Sequence, residues 1–121
     1  MYTHHNLDAW KRSIRLVTDL YVTTQAFPTE EKFGLITQIR RCAVSVPSNI
    51  AEGAARKNSN EYAHFLRISL GSLAELETQL IISHHLGYID HSTLSKLLDE
   101  RTIIAKQLQA LHRTIQNKTI K

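Results

Sequence analysis

The sequence predicts an all-α protein, an antiparallel up-down-up-down bundle of four helices. Apolar residues recur at the 3.6-residue spacing of amphipathic helices, and no segment shows the two-residue alternation of a β-strand. Four such segments are separated by short breaks, so neighbouring helices should run in opposite directions. Only 4 glycines and 2 prolines occur in 121 residues, which is too few for an all-β fold with many turns.

The first helix is expected at residues 8–26, with Asp8 as its N-cap. It ends before Pro28, because the residue preceding a proline avoids the α region. One face of this helix is apolar, which indicates the side that packs on the core. That face consists of Trp10, Ile14, Val17 and Tyr21.

The second helix is expected at residues 30–56. Glu30 and Glu31 stand in its first turn, where the helix dipole favours acidic side chains. Pro47 falls inside the apolar pattern, which continues to Ile50. We therefore expect a kink at Pro47 rather than the end of the helix, because proline removes one backbone hydrogen bond and crowds one carbonyl.

The third and fourth helices are expected at residues 59–86 and 91–117, completing a single domain of residues 1–121. Capping residues bound both helices. They are Asn58 with Glu61 as a capping box, Gly87 after the third helix and Asp90 before the fourth.

Composition narrows the class of protein. The single cysteine, Cys42, cannot form an internal disulfide, which favours a reducing compartment. The amino terminus has no basic segment followed by an apolar run, so no signal peptide is expected. No stretch approaches the ~18 apolar residues of a membrane span. We therefore expect a cytoplasmic protein that does not enter a membrane.

The third helix is apolar on more than one face, whereas a helix of a four-helix monomer needs one apolar stripe. Gly71 stands in mid-helix, where glycine costs ~1 kcal/mol relative to alanine. Small residues there would let another subunit approach closely, which predicts oligomerisation. The alternative is that this helix is simply the most buried of the four. The small residues are Ser69, Gly71, Ser72 and Ala74.

The second helix carries a polar stripe of short side chains flanked by arginines. Two interpretations remain open. Arg41 could form a salt bridge with Glu75, within the chain or across a subunit boundary. Alternatively, the arginines could bind phosphates, because a guanidinium donates in a bidentate manner. The stripe consists of Arg41, Ser45, Ser48, Asn49, Glu52 and Arg56.

Basic residues exceed acidic ones, 15 to 11, for a net charge of +4. Between residues 101 and 121 there are five basic residues and no acidic one. Such a tail can attract a polyanion, or it can simply suit the negative end of the helix dipole. The candidate residues for nucleic-acid binding are Arg40, Arg41, Arg56, Lys57, Arg113 and Lys118.

No constellation of residues indicates catalysis, a metal or a cofactor. Glu61 and His64 form one Glu-x-x-His pair, but a di-iron bundle needs two such pairs and further carboxylates. Cys42 lies beside the core stripe and is expected to be a small buried side chain rather than a nucleophile. We therefore expect a protein that is not an enzyme.

The sequence closely resembles the bacterial four-helix-bundle proteins encoded in intervening sequences of 23S ribosomal RNA genes. The resemblance covers about residues 7–115 and is most distinctive at 38–53. It also includes residues 61–66, 71–80, 86–89 and the Phe27-Pro28 pair. The matching motif residues, expected to serve structure and assembly first, are Arg40, Arg41, Pro47, Asn49, Glu52, Glu75 and Glu77, together with Gly71 from the packing argument.

This resemblance implies a homo-oligomer, a ring-like pentamer of helical bundles. It also implies a relation to the accessory proteins of diversity-generating retroelements, which bind a reverse transcriptase and nucleic acid. It brings no catalytic site. Two functions follow as expectations: an oligomer that associates with RNA or DNA through basic surfaces, or a protein-binding scaffold such as an accessory subunit of a reverse transcriptase.

Overall fold

The computed structural model describes residues 4–120, and side chains as far as residue 117. Four α-helices form the chain: α1 Asp8–Thr24, α2 Leu35–Ala55, α3 Ser59–His85 and α4 His91–Ile120. Two short 3-10 turns occupy His4–Asn6 and Thr29–Glu31. Residues 4–120 contain no strand, so the predicted all-α fold with four helices is confirmed. The side chain of Lys118 and the whole of Lys121 lie outside the described residues.

The first helix begins at residue 8 as expected, but its N-cap and its last residue differ from the prediction. Its N-cap is Leu7, which makes no capping hydrogen bond through its side chain. Asp8 is instead the first helical residue, and its carboxylate accepts from Arg12 and Gln107, each at 2.8 Å. The helix ends at Thr24 rather than at residue 26, because a turn leads into the buried side chain of Phe27.

The second helix begins later than the expected residue 30. Glu30 and Glu31 belong to a 3-10 turn, and α2 begins at Leu35, after Gly34. The Glu31 carboxylate accepts from the Leu35 amide at 3.1 Å, so a side chain one turn earlier satisfies a free N–H at the helix start. From there α2 continues through Pro47 to Ala55 without interruption.

The N-caps predicted for α3 and α4, Asn58 and Asp90, are confirmed, whereas the reciprocal bond of a capping box, from the Asn58 amide to the Glu61 carboxylate, is not among the hydrogen bonds of the described residues. The Asn58 side chain accepts from the Glu61 amide at 3.0 Å, and the Asp90 carboxylate accepts from the Thr93 amide at 2.8 Å. Gly87 has φ +80°, the left-handed conformation that glycine adopts after a helix. The amides of Gly87 and Tyr88 donate to carbonyls of the last turn of α3, which closes that helix.

All four helices contribute to one core. Each helix packs on its neighbour in the chain, and α1 also contacts α4, so the four surround a common interior. α3 supplies more fully buried large side chains than any other helix. The largest buried side chains are Leu16, Leu20, Ile39, Ile50, Leu66, Leu73, Leu76, Leu80, Ile104 and Leu108.

Candidate assembly and nucleic-acid surfaces

The seam between α2 and α3 is built from short polar side chains. The hydroxyls of Ser45 and Ser72 lie 2.8 Å apart, and Asn49 donates to both the carbonyl and the hydroxyl of Ser45. Ser69 donates to the Val46 carbonyl at 2.9 Å. Of the six stripe residues, Ser45 therefore bonds across to α3 and Asn49 braces Ser45 within α2, which explains why these two side chains are short.

The close approach of α2 to α3 also explains one glycine. A Cβ at Gly53 would lie 2.9 Å from the Cβ of Phe65 and 3.0 Å from Cδ1 of Tyr62. Only a residue without a side chain fits there without displacing α3. Gly53 was not singled out from sequence spacing, because nothing local shows which helix will lie against it.

Pro47 is buried inside α2 on its α1 side. Proline has no N–H, so the Ala43 carbonyl loses its usual partner in the helix. The continuation of α2 past Pro47 agrees with the pattern that reached Ile50. The kink itself stays a prediction.

Two of the candidate nucleic-acid arginines bind other parts of the chain. Arg40 donates to Thr24 Oγ1 at 2.9 Å and to the Tyr21 carbonyl at 3.2 Å, with its guanidinium 4.4 Å from the Tyr21 ring centre. It thus fastens α2 to the last turn of α1. Arg56 pairs with Glu52 at 3.0 Å and approaches Glu61 at 3.9 Å. Both guanidiniums already have partners.

Three other candidates are exposed. Arg41, Lys57 and Arg113 make no ion pair within the described part of the chain. The salt bridge considered between Arg41 and Glu75 does not form within the described part of the chain. Glu75 lies 3.9 Å from the Cys42 sulfur instead. These three cations are therefore available to an external anion.

Glu77, placed with the structural motif residues, has a partner on α4. Arg101 lies 3.6 Å from Glu77 and donates from Nε to the Leu73 carbonyl at 2.9 Å. In the sequence, Arg101 is the first of the five basic residues between 101 and 121. Because its side chain is mostly buried against α3, it serves packing and not the tail's positive surface.

The outer side of α3 exposes large apolar and small side chains, with the polar Glu75 and Thr78 among them. Ile68 and Ile82 are 37% and 44% exposed, and Gly71 and Ala74 lie between them. Apart from the backbone of its own helix, no atom of the described residues lies within 4 Å of the position a Cβ at Gly71 would take. We call Ile68, Gly71, Ala74 and Ile82 the α3 outer face.

The other two small residues of α3 serve a different purpose from the predicted one. Ser69 and Ser72 are buried against α2 and do not face outward. The expectation that they admit an external neighbour is wrong for these two residues. The hydroxyls find their partners inside the chain, and only Gly71 and Ala74 remain on the surface.

A second apolar surface lies between α1 and α2. An open groove of about 350 Å³ runs there, and we call it the α1/α2 groove. Within it Ile14 and Val44 are 41% and 40% exposed, and Trp10 is half-buried. Trp10 and Ile14 were expected to point into the core, but helix spacing alone cannot tell a core face from a groove. The lining residues are Trp10, Ile14, Val17, Thr18, Val44, Pro47, Ser48 and Ala51.

Besides the groove, a pocket of about 540 Å³ opens where the α2–α3 connection meets the carboxyl-terminal part of α4. Arg56, Lys57 and Asn58 line one side of it, and Thr114 lies on the other. Arg113 is the neighbour of Thr114 and is exposed. Lys57 and Arg113 are therefore exposed cations at this end of the bundle, whereas Arg56 is paired with Glu52 and Glu61.

Cys42 has the environment of a packed thiol. It is half-buried beside α3, and the Gln79 side-chain amide lies 3.4 Å from its sulfur. Burial raises the pKa of the Cys42 thiol above its ordinary value, so the nucleophilic thiolate is disfavoured. This agrees with the expectation of a small buried side chain.

The histidines do not form a metal site in the described part of the chain. Among residues 4–120, no three His, Cys, Asp or Glu side chains are placed to hold a metal ion. His84 approaches the rings of His85 and His91 at 6.3 and 6.1 Å, and its Nδ1 lies 3.0 Å from the Ile89 carbonyl oxygen. The His64 ring meets the Phe65 ring edge to face, with the ring centres 5.5 Å apart.

Residues 5–110 match the family described as 23S rRNA-intervening sequence protein. This chain belongs to that family. The match covers most of the sequence and includes both the α2–α3 seam and the α3 outer face. The predicted family is therefore confirmed. No curated protein matches the chain.

The fold of this 23S rRNA-intervening sequence protein also occurs in a solved relative. That relative is a protein of unknown function from the S23 ribosomal protein family of Bacteroides thetaiotaomicron, known from its crystal structure. It is 20% identical, with a TM-score of 0.80, and the alignment covers 87% of this chain and 95% of that one. At this identity the similarity shows the fold alone. Neither description names an enzymatic activity.

None of the helices described between residues 4 and 120 combines the length and apolar character needed to cross a bilayer.

Proposed function

We propose that this protein is a non-enzymatic, ring-like homo-oligomer whose subunits meet through the α3 outer face. The observation that carries the proposal is Gly71. Glycine in mid-helix costs ~1 kcal/mol relative to alanine, and nothing within the described chain needs its missing side chain. Close approach of another subunit supplies a reason for this residue.

The flanking residues support the same conclusion. Ile68 and Ile82 expose apolar surface one to three turns from Gly71, on the same side of the helix. Burying such surface contributes about 25 cal/mol for each Å² removed from water. Ser45 and Ser72, in contrast, already satisfy one another inside the chain, so the α2–α3 seam does not call for a partner.

The proposal includes the antiparallel course of the helices and five copies in the ring. Hydrogen bonds between α2 and α3 support the antiparallel course, because residue numbers that rise along α2 pair with residue numbers that fall along α3. The pairs are Cys42 with Gln79, Ser45 with Ser72 and Val46 with Ser69. The number five comes from the resemblance and remains to be measured.

Light scattering on a sizing column tests the proposal. The wild-type protein should elute at several times the 13.8 kDa of one chain. The double variant Ile68→Glu/Ile82→Glu should elute as a single chain, because carboxylates would be buried without partners at the interface. Ile103→Glu is the matched control, since Ile103 on α4 is 39% exposed and lies on another helix. A wild-type monomer at micromolar concentration would refute the proposal.

A second candidate function, association with RNA or DNA, is favoured by one observation. Lys57 and Arg113 are exposed beside the pocket at the α2–α3 connection, and neither makes an ion pair within residues 4–117. A ring would repeat this positive patch in every subunit. Arg41 is also exposed, but it lies roughly four turns of α2 away from Lys57 and is a separate cation. Arg40 and Arg56 contribute less, because chain carboxylates, carbonyls and rings already occupy them.

A mobility-shift assay with structured RNA tests this second candidate. Binding should be present at ~50 mM salt and fall steeply as salt rises, because phosphate contacts release counterions. Lys57→Glu/Arg113→Glu should weaken binding, whereas Lys96→Glu, an exposed lysine elsewhere on α4, should not. Absence of any shift at ~50 mM salt would remove this candidate. A reverse transcriptase as partner stays a prediction, which a pull-down from native lysate would examine.

A further inference from the structure

The α1/α2 groove is an unfilled apolar surface with a positive rim. Its lining includes Trp10, Val17 and Pro47, and hydrophobic side chains contribute nearly all of its surface. Ile14 and Val44 stand at its opening, 41% and 40% exposed. Exposure of this apolar lining to water is unfavourable, so covering the groove would be stabilising.

Cations flank the opening of the groove. Lys11 and Arg15 lie on the exposed side of α1, three residues before and one residue after Ile14. Arg41 lies on the exposed side of α2, one turn before Val44. None of these three makes an ion pair in the described part of the chain. An occupant of the groove should therefore be apolar and carry negative charge at its edge.

The α3 outer face has that chemistry. It is apolar, and Glu75 lies one turn after Gly71 on the same side of α3. Glu75 is exposed and forms no ion pair with the described residues. The nearby Arg67 is turned toward α4, where its Nη1 lies 3.2 Å from Nε2 of His112.

We propose that the α3 outer face of one copy seats in the α1/α2 groove of the next copy. This inference rests on the proposed homo-oligomer and names the two surfaces that meet. The apolar residues of α3 cover Ile14, Val44 and Trp10, while Glu75 faces the cationic rim. Gly71 lets α3 approach the floor of the groove, because it adds no side chain between the two backbones.

A contact between two different surfaces is heterologous. Each copy then uses its α3 outer face on one neighbour and its groove on the other. Repeating this contact adds copies until the rotation from one copy to the next completes a circle, which gives a closed ring. The competing arrangement, α3 against α3 around a two-fold axis, would bring two Glu75 carboxylates together near Gly71. In that arrangement the two carboxylates would repel each other, and the α1/α2 groove of both copies would remain exposed to water.

Mixing two variants tests the head-to-tail contact. The groove variant is Ile14→Glu/Val44→Glu, and the face variant is Ile68→Glu/Ile82→Glu. Each variant alone should elute as a single chain, because each lacks one half of the contact. An equimolar mixture should elute as a complex of two chains, since the intact α3 of the first variant still fits the intact groove of the second. The control Ile103→Glu, alone or mixed with the wild-type protein, should keep the wild-type mass.

Several outcomes would overturn the inference. A groove variant that keeps the wild-type mass would show that α3 meets another surface, while the proposed oligomer would stand. A mixture that stays monomeric, with both variants helical by circular dichroism, would also overturn it. A monomeric wild-type protein is a different result, because it would remove the proposed function itself.

Trp10 provides a measurement that needs no variant. It is the single tryptophan of the chain and it lines the groove. Dilution that dissociates the wild-type oligomer should shift its fluorescence to longer wavelength, as water reaches the opened groove. Dissociation by light scattering without any change in tryptophan emission would overturn the inference.

Discussion

The two sides of α3 carry similar small residues and use them differently. Toward α2, Ser69 and Ser72 form hydrogen bonds across the seam, and α3 approaches Gly53 so closely that a methyl group would not fit. On the outer side, Gly71 faces open space. The neighbouring helix α3 accounts for Gly53, whereas no neighbour in the described chain accounts for Gly71, for which we propose a contact with a second chain.

The largest effect is expected at Gly53. Gly53→Ala should lower the free energy of unfolding by about 1 to 2 kcal/mol, because overpacking outweighs the better helix propensity of alanine. The new Cβ would lie 2.9 Å from the Cβ of Phe65, and the helices would have to separate. Urea denaturation followed by circular dichroism measures this change. An unchanged or raised midpoint would mean that the seam is looser than the structure indicates.

The next effect is expected at Ser69. Ser69→Ala should cost about 1 kcal/mol, because the buried hydroxyl donates to the Val46 carbonyl at 2.9 Å. Ser95→Ala, at an exposed position of α4, is the control and should leave the urea midpoint nearly unchanged. If the two variants behaved alike, the hydroxyl would contribute nothing measurable to the seam.

The opposite sign is expected at Gly71. Gly71→Ala should stabilise the separate subunit by about 0.5 to 1 kcal/mol, because alanine favours the helix and its Cβ meets no neighbour. The same variant should assemble more weakly, since the methyl group separates α3 from the next subunit. Urea midpoints at dissociating dilution and light scattering at higher concentration measure the two effects. A stabilised subunit with unaltered assembly would place Gly71 outside the interface.

The smallest expected effect is a pH dependence of stability at the charged contact between α1 and α4, which the neutral α2–α3 seam should lack. Hydrogen bonds from Gln107 and Arg12 hold the pKa of the Asp8 carboxyl below its ordinary value of 3.8. Because the folded-state pKa is the lower one, this contribution to stability is present above about pH 4 and is lost as pH falls through the folded-state pKa.

Denaturation of the wild type and of Asp8→Asn between pH 7 and pH 3 measures this effect. The difference between the two proteins should shrink toward the acid end. Ser69→Ala provides the contrast, because its cost should not change with pH. A constant gap for Asp8→Asn across the range would contradict the assignment of the pKa shift.

Much of the fold could be predicted from local signals. The 3.6-residue apolar spacing gave four helices, and Asn58, Gly87 and Asp90 marked their ends because caps act within a few residues. The start of α2 could not be predicted in this way. Glu31 and Gly34 set it through a side-chain hydrogen bond whose geometry depends on how the preceding turn folds.

The candidate surfaces were only partly predictable. Excess apolar residues on α3 were visible in the sequence, but spacing could not separate Ser69, which faces α2, from Gly71, which faces outward. The arginines were found by type alone. Their availability depends on neighbours distant in sequence, since Thr24 lies 16 residues before the Arg40 it binds.

The sequence by itself determined that there are four helices, the caps of α3 and α4, and the family, because periodicity, capping and motif are properties of the order of residues. Only the tertiary structure decided which small residue touches another helix, which arginine is already engaged, and that α1 and α2 leave a groove between them. Those properties depend on atoms brought together across the bundle. For this reason Gly53 and Gly71, alike as glycines within helices, acquire opposite meanings once the helices pack.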